Sequence, residues 1–144
     1  MQAIPAPYHE RVGEPVAFIS RFRIKPGQRD AYEQLAAEVT PRIESEWPWT
    51  LVYLLFLGPD DELTIIHVFG DADAMDRHAE AAKAHSGRAM ALFEPLGWEI
   101  YGRAGVAVRT ALEAAAQQAG VPLMVYPEFT SGFVRLSAPP ESDG

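Results

Sequence analysis

The sequence has 144 residues and contains no cysteine. This absence excludes disulfide bonds, a thiolate nucleophile, and zinc or iron–sulfur sites with cysteine ligands. Basic residues are few, since twelve lysines and arginines stand against twenty aspartates and glutamates and give a formal charge of −8. A surface of that charge repels phosphate backbones, so we expect no nucleic-acid partner.

Long apolar segments and targeting signals are also lacking. The longest apolar run, from Leu51 to Gly58, is too short to cross a bilayer. The first ten residues have neither the basic nor the apolar part of a secretory signal. Phosphate-binding loops, nucleophile elbows and dinucleotide fingerprints are missing as well. We therefore expect a cytoplasmic protein that does not contact a membrane.

The composition is that of one folded domain, with 48% hydrophobic and 22% charged residues. We predict a domain over residues 15–108 and an extension over 109–137 that packs on it. A flexible arm at 1–14 and a tail at 138–144 complete the predicted organisation, because neither segment has a hydrophobic period. The extension is expected to cap a sheet edge, although closing a pocket or widening a contact between two copies is also open.

Hydrophobic periodicity predicts the secondary structure. Alternating residues predict a strand over 15–25, and a three- to four-residue period predicts a helix over 28–46 in which Pro41 could cause a kink. Two apolar runs, 49–57 and 63–69, flank a turn and predict a hairpin. Six further elements are predicted: a helix with Asp71 as N-cap that is interrupted at Ser86-Gly87, a short helix at 88–94, a strand at 98–108, a helix at 110–119 that Gly120 ends, and short strands at 123–126 and 132–136.

The order strand–helix–strand–strand–helix–strand predicts an α+β fold of the ferredoxin-like split βαβ type, with helices on one face of an antiparallel sheet. The second strand is apolar on both sides, because two sets of apolar side chains alternate along it: Val52, Leu54 and Phe56 with Tyr53, Leu55 and Leu57. Burial of each stabilises the fold by roughly 1.5–3 kcal/mol. We therefore predict that a second copy covers the open face, and coverage by the extension is the alternative.

Three segments carry a family resemblance. They are FISRFRIKPG at 18–27, HVFGDADAMDRH at 67–78 and AHSG at 84–87. They resemble parts of antibiotic biosynthesis monooxygenase-like proteins, which belong to the dimeric α/β-barrel superfamily. The first segment resembles the first strand of these proteins and the turn after it, and the second resembles their third strand and the start of their second helix. The last segment resembles the stretch with a histidine that follows the second helix. The likeness covers about residues 16–102. It implies a ferredoxin-like protomer, a homodimer whose two sheets form a dimeric α/β barrel, and a ligand pocket between the sheet and the helices.

The resemblance implies a small monooxygenase that uses no cofactor and oxidises an aromatic, phenolic or polyketide-like molecule. Ser20 stands where haem-degrading relatives have asparagine, Phe69 where they have tryptophan, and His78 where they have the haem-ligating histidine. Haem degradation is not expected, because phenylalanine has no indole N–H and serine is a shorter donor than asparagine. A non-oxidative cyclase or isomerase, and a small-molecule-binding protein without catalysis, remain open.

Seven side chains form the predicted site. His78 would accept a phenolic proton, while Ser20 and His67 would bind polar substituents of the substrate. Aromatic rings would form the walls of the pocket: Phe22, Tyr53, Phe69 and Trp98. Simple core packing is the alternative for each ring and histidine. His78 and His85 lie about 10 Å apart on one helix, too far for one ion. A site formed by His67, His78 and a carboxylate such as Glu99 stays geometrically open, but no spacing in the sequence requires it, and we predict no metal.

Overall fold

The computed structural model describes residues 14–135. Nearly all of the predicted arm at 1–14, and the whole of the predicted tail at 138–144, lie outside the described residues. The helices and strands are, in chain order, β1 (Val16–Ile24), α1 (Arg29–Glu46), β2 (Thr50–Leu57), β3 (Glu62–Phe69), α2 (Ala72–Leu92), β4 (Phe93–Tyr101), α3 (Val106–Ala119) and β5 (Leu123–Tyr126). A 3-10 turn, Pro59–Asp61, joins β2 to β3.

The strands form one sheet in the order β2-β3-β1-β4-β5. β1 pairs antiparallel with both β3 and β4, and β3 pairs antiparallel with β2, as the split βαβ order requires. β5 adds a parallel strand at the β4 edge. The α+β ferredoxin-like fold predicted from the sequence is therefore confirmed.

Strand alternation separates the two faces of the sheet. Phe22 of β1 and Phe69 of β3 are buried towards the helices, where they join the main apolar clusters. On the other side of β1, Arg21 pairs with Glu99 at 2.9 Å and Arg23 pairs with Glu62 at 3.0 Å. The helices thus cover one face, and charged pairs of the same chain lie across the other.

The interruption predicted at Ser86-Gly87 is wrong, because α2 runs without a break from Ala72 to Leu92. A glycine inside a helix costs roughly 1 kcal/mol relative to alanine. Gly87 lies in open space, whereas Ala89 and Leu92 after it pack against the core. Packing of that last turn offsets the local cost and keeps the helix intact.

The strand predicted at 98–108 begins at Phe93 and ends at Tyr101. Pro95 is accommodated inside β4, where the register with β1 shifts between Arg21 and Phe22. α3 then begins at Val106, so the predicted division between 108 and 109 falls inside this helix. β5 matches the strand predicted at 123–126, but residues 132–135 form no strand and residue 136 lies outside the described residues.

The extension packs on the helical side of the sheet. Leu112 and Ala116 of α3 contact the cluster around Phe22 and Trp98. The opposite face keeps its large apolar side chains accessible, with Leu54 46% and Phe56 56% exposed.

Across residues 14–135, none of the helices combines the length and the apolar character that a membrane crossing requires.

Candidate active site

A cavity of about 640 Å³ lies between the sheet and the three helices. Small-molecule sites typically enclose roughly 300–1,000 Å³. The cavity is lined by all seven side chains that the sequence predicts for the site: Ser20, Phe22, Tyr53, His67, Phe69, His78 and Trp98. Their functional roles stay predictions, but the fold brings them to one place.

Several other large rings on or beside the strands do not line this cavity. Phe56 is exposed on the open face, and Tyr101 stacks on Tyr126 with ring centroids 5.0 Å apart. Trp49 packs against the cluster that contains Phe69, and its buried Nε1 has no hydrogen-bond partner. Packing and surface positions account for the rings of Phe56, Tyr101 and Trp49.

His67 and His78 touch, with ring centroids 4.9 Å apart at an interplanar angle of 77°. β3 presents His67 to the helical side, because His67 alternates with the outward-facing residues of the strand. The start of α2 is fixed by Asp71, whose carboxylate accepts a hydrogen bond of 2.8 Å from the Ala74 N–H. His78 then falls on the buried face of α2, together with Ala74 and Met75.

His67 has a fixed tautomer. Its Nδ1 lies 3.3 Å from the carbonyl oxygen of Phe18. A carbonyl oxygen only accepts hydrogen bonds, so Nδ1 carries the hydrogen, and Nε2 of the neutral ring carries none. Burial lowers the pKa of His67 to about 4, although the hydrogen bond to Phe18 opposes this shift. The ring is therefore neutral at pH 7 and has one nitrogen able to accept a proton.

His78 is held by Thr50, whose Oγ1 lies 2.7 Å from Nδ1. Burial, together with smaller contributions from the nearby His67 and His85, lowers the pKa of His78 to about 3. Trp47 meets the His78 ring edge-on at 5.1 Å and stacks on His85 at 5.8 Å. Sequence reasoning missed both Thr50 and Trp47, because Trp47 directly follows α1, Thr50 is the first residue of β2, and neither position carries a periodic signal.

Tyr53 completes the polar part of the cavity wall. Its ring centroid lies 5.3 Å from that of His67. Burial raises the pKa of Tyr53 to about 12, so the phenol stays protonated at neutral pH. Within residues 14–135, no group of three or more histidines, aspartates or glutamates is placed to hold a metal ion. The deep part of the cavity thus has uncharged hydrogen-bonding groups among aromatic rings.

Comparisons with known proteins agree with this architecture. The profile of the family described as antibiotic biosynthesis monooxygenase matches residues 15–90. MupZ from Pseudomonas fluorescens aligns with a TM-score of 0.64 at 15% identity, over 85% of this chain and 95% of that one. SnoaB from Streptomyces nogalater, a cofactor-independent oxygenase, aligns with a TM-score of 0.53 at 18% identity, over 65% of this chain and 96% of that one. A search of curated proteins finds no match. At these identities the two structures show a shared fold.

Proposed function

Because this chain belongs to the antibiotic biosynthesis monooxygenase family, we propose that it is a small oxygenase that binds an aromatic, phenolic or polyketide-like molecule and uses no cofactor. The observation that carries the proposal is a pair of touching, neutral histidines in the wall of a 640 Å³ apolar cavity. The fold shared with SnoaB, an oxygenase that needs no cofactor, supports the same chemistry.

We assign the proton acceptor to His67, whereas the sequence favours His78. The Phe18 carbonyl fixes the hydrogen on Nδ1 of His67 and leaves Nε2 as an acceptor, whereas the hydroxyl of Thr50 can either donate to His78 or accept from it. His78 then serves as the neighbouring polar group that binds a substrate oxygen. The low pKa keeps His67 unprotonated, and an adjacent substrate anion would stabilise its protonated form.

The proposed reaction converts an activated methylene of a phenolic ring system into a carbonyl. His67 accepts a proton from the substrate and leaves an electron-rich anion that dioxygen oxidises. The methylene loses both hydrogens and gains one oxygen atom, and the second oxygen atom leaves as water. The substrate supplies all four electrons, so the balance requires dioxygen alone as co-reactant.

The remaining wall residues position the substrate. Phe22, Phe69 and Trp98 offer ring faces and edges to a flat aromatic molecule. The hydroxyl groups of Ser20 and Tyr53 provide uncharged hydrogen-bonding groups for its substituents. A homodimer formed through the open sheet face belongs to the same proposal.

A non-oxidative isomerase or cyclase is the second candidate. Ser20 and Phe69 favour it, because they replace two polar side chains that the resemblance associates with oxygen chemistry in haem-degrading relatives. The same histidine would then move a proton between two positions of the substrate. A protein that only binds its ligand is the third candidate.

Product mass separates these functions. The purified protein is incubated in air enriched in ¹⁸O₂ with a panel of hydroxylated anthrones, and products are analysed by mass spectrometry. Oxygenation predicts a product that has lost two hydrogens and gained one ¹⁸O, and its formation should fall at least about a hundredfold in a folded His67→Gln variant. An unchanged mass favours isomerisation, and bound but unaltered substrate favours the third candidate. Full activity in His67→Gln would refute the assignment of the proton acceptor.

A further inference from the structure

The entrance of the cavity lies between α2 and α3. The residues of α1 and of the sheet that line the cavity are buried or half-buried. The exposed lining residues belong instead to two helices: Asp76, Glu80, Lys83, Ser86 and Met90 of α2, and Ala107 and Ala111 of α3. A molecule from solvent therefore meets these two helices before it reaches the histidines.

α3 is a fixed part of the entrance, because its start lies against α2 and its last turn packs in the core. At its start, a Cβ on Gly105 would lie 2.7 Å from Oδ1 of Asp76, so the backbone of the α3 N-cap lies directly against α2. At its end, Gly120 adopts the left-handed conformation and its N–H donates to the carbonyls of Ala116 and Gln117. Ala116 itself is buried in the core.

The two sides of the entrance differ in chemistry. On α2, Lys83 and Glu80 form an ion pair of 2.7 Å, and Asp76 adds a second carboxylate nearby. On α3, the exposed lining side chains are the methyl groups of Ala107 and Ala111. One side therefore offers polar contacts, and the other offers a flat apolar surface with little volume.

We propose that α3 selects the substrate, with Ala107 and Ala111 setting the width of an entrance that admits flat molecules of several fused rings. The ring face would slide along the two alanines, while polar substituents at its edge stay hydrated beside Glu80 and Lys83. This inference rests on the proposed function only in taking the cavity as the substrate site. Whether the bound molecule is then oxidised does not affect it.

A larger side chain on α3 should narrow the entrance without touching the histidines. Ala111 is exposed, so phenylalanine at this position need not enlarge the core, and its ring would occupy the entrance. Thr110 is the matched control, because it is exposed on the same helix and lies outside the lining of the cavity. Ala107→Leu is a second variant that narrows the same entrance.

The probes are 9-phenanthrol, with three fused rings, and phenol, with one. Association and dissociation rates are measured by stopped-flow fluorescence for the full chain and for Ala111→Phe, Ala107→Leu and Thr110→Phe. Both rates for 9-phenanthrol should fall about tenfold or more in the entrance variants, while phenol is nearly unaffected. Thr110→Phe should behave as the unaltered chain, and circular dichroism verifies folding of each variant.

The outcomes separate this inference from the proposed function. If 9-phenanthrol binds and its rates in Ala111→Phe and Ala107→Leu equal those of the unaltered chain, α3 does not select the substrate. If the unaltered chain binds neither probe, both the inference and the proposed binding site are wrong. The probes could also bind with the expected rate changes while the anthrone panel is not oxidised. That result would support the selective entrance and refute only the proposed oxygenase reaction.

Discussion

At the scale of single residues, the buried histidines couple folding to pH. His67 and His78 have pKa values of about 4 and about 3 in the folded chain, below the ordinary value of 6.5. Between these values and 6.5, the unfolded chain binds protons that the folded chain does not bind. The stability contribution is therefore complete above pH 6.5 and is lost as the pH falls towards 4 and then 3.

We predict that the free energy of unfolding decreases by up to about 1.4 kcal/mol per pH unit for each of these histidines below pH 6.5. In a folded His67→Gln variant, the slope between pH 6.5 and 4.5 should be shallower, because one of the two buried groups no longer titrates. Urea denaturation at a series of pH values measures the slope. Equal slopes in the variant and the unaltered chain would show that His67 is not held neutral by burial.

Thr50 gives a second residue-scale prediction. Thr50→Val removes the hydroxyl and keeps the shape, so Nδ1 of His78 loses its partner at 2.7 Å. A cost of about 1–3 kcal/mol is expected for a buried polar group left unpaired, whereas Thr50→Ser should retain most of the stability. Nitrogen-15 NMR of the His78 ring should also show a changed tautomer ratio in Thr50→Val alone. An unaltered ratio would mean that Thr50 does not position the ring.

The face of the sheet on which a site residue lies could be predicted from the alternation of side chains along its strand. Alternation along β1 and β3 places Ser20 and Phe22 on the same side as His67 and Phe69, and one strand pairing then brings them together. The Thr50–His78 contact joins residues 28 positions apart. Neither residue's neighbours carry a pattern that encodes this contact, so only the packed structure reveals it.

At the scale of elements, the joint between β4 and α3 controls the position of the extension. Gly102 is buried there with φ +105°, and its N–H donates to the Tyr126 carbonyl at 2.8 Å. A Cβ at this position would lie 2.6 Å from the Pro15 carbonyl oxygen. Backbone conformation and close approach therefore both require glycine.

Gly102→Ala should destabilise the fold by more than about 2 kcal/mol, because the strained backbone and the contact with Pro15 add together. Gly120→Ala is the matched control: its φ is +69°, but nothing lies within 4 Å of the added Cβ, so a cost of about 1 kcal/mol is expected. Urea denaturation compares the two. Similar costs would show that the joint tolerates a shift and does not fix α3.

Helix and strand bounds were predictable where local preference and packing agree. β5 and the Gly120 end of α3 follow the sequence signals directly. α2 does not, because the Ser86-Gly87 signal is local, while the contacts of Ala89 and Leu92 come from distant parts of the chain. The early start of β4 has the same origin, since pairing with β1 overrides the proline.

At the scale of the whole molecule, the open sheet face has large apolar side chains that residues 14–135 leave exposed. Leu54 and Phe56 near one edge, and Met124 and Tyr126 at the other, are 46% to 56% exposed. α3 packs on the opposite side of the sheet and covers none of these four side chains. Burying them against a second copy would remove apolar surface from water, which is the physical basis for the proposed homodimer.

We predict that light scattering after size-exclusion chromatography gives the mass of two chains. Phe56→Glu should give the mass of one chain, because it places a charge in the buried contact. Val106→Glu, at a position 83% exposed on α3, is the control and should leave the dimer intact. A single-chain mass for the unaltered protein would exclude pairing through this face.

The central claim is that small aromatic molecules bind beside His67 and His78 inside the cavity. NMR of the protein with ¹⁵N-labelled histidine rings, titrated with 9-phenanthrol, tests this claim most directly. Both ring signals should shift in proportion to binding, because the two rings touch and line the same cavity. Saturable binding of 9-phenanthrol that leaves both ring signals in place would contradict the account.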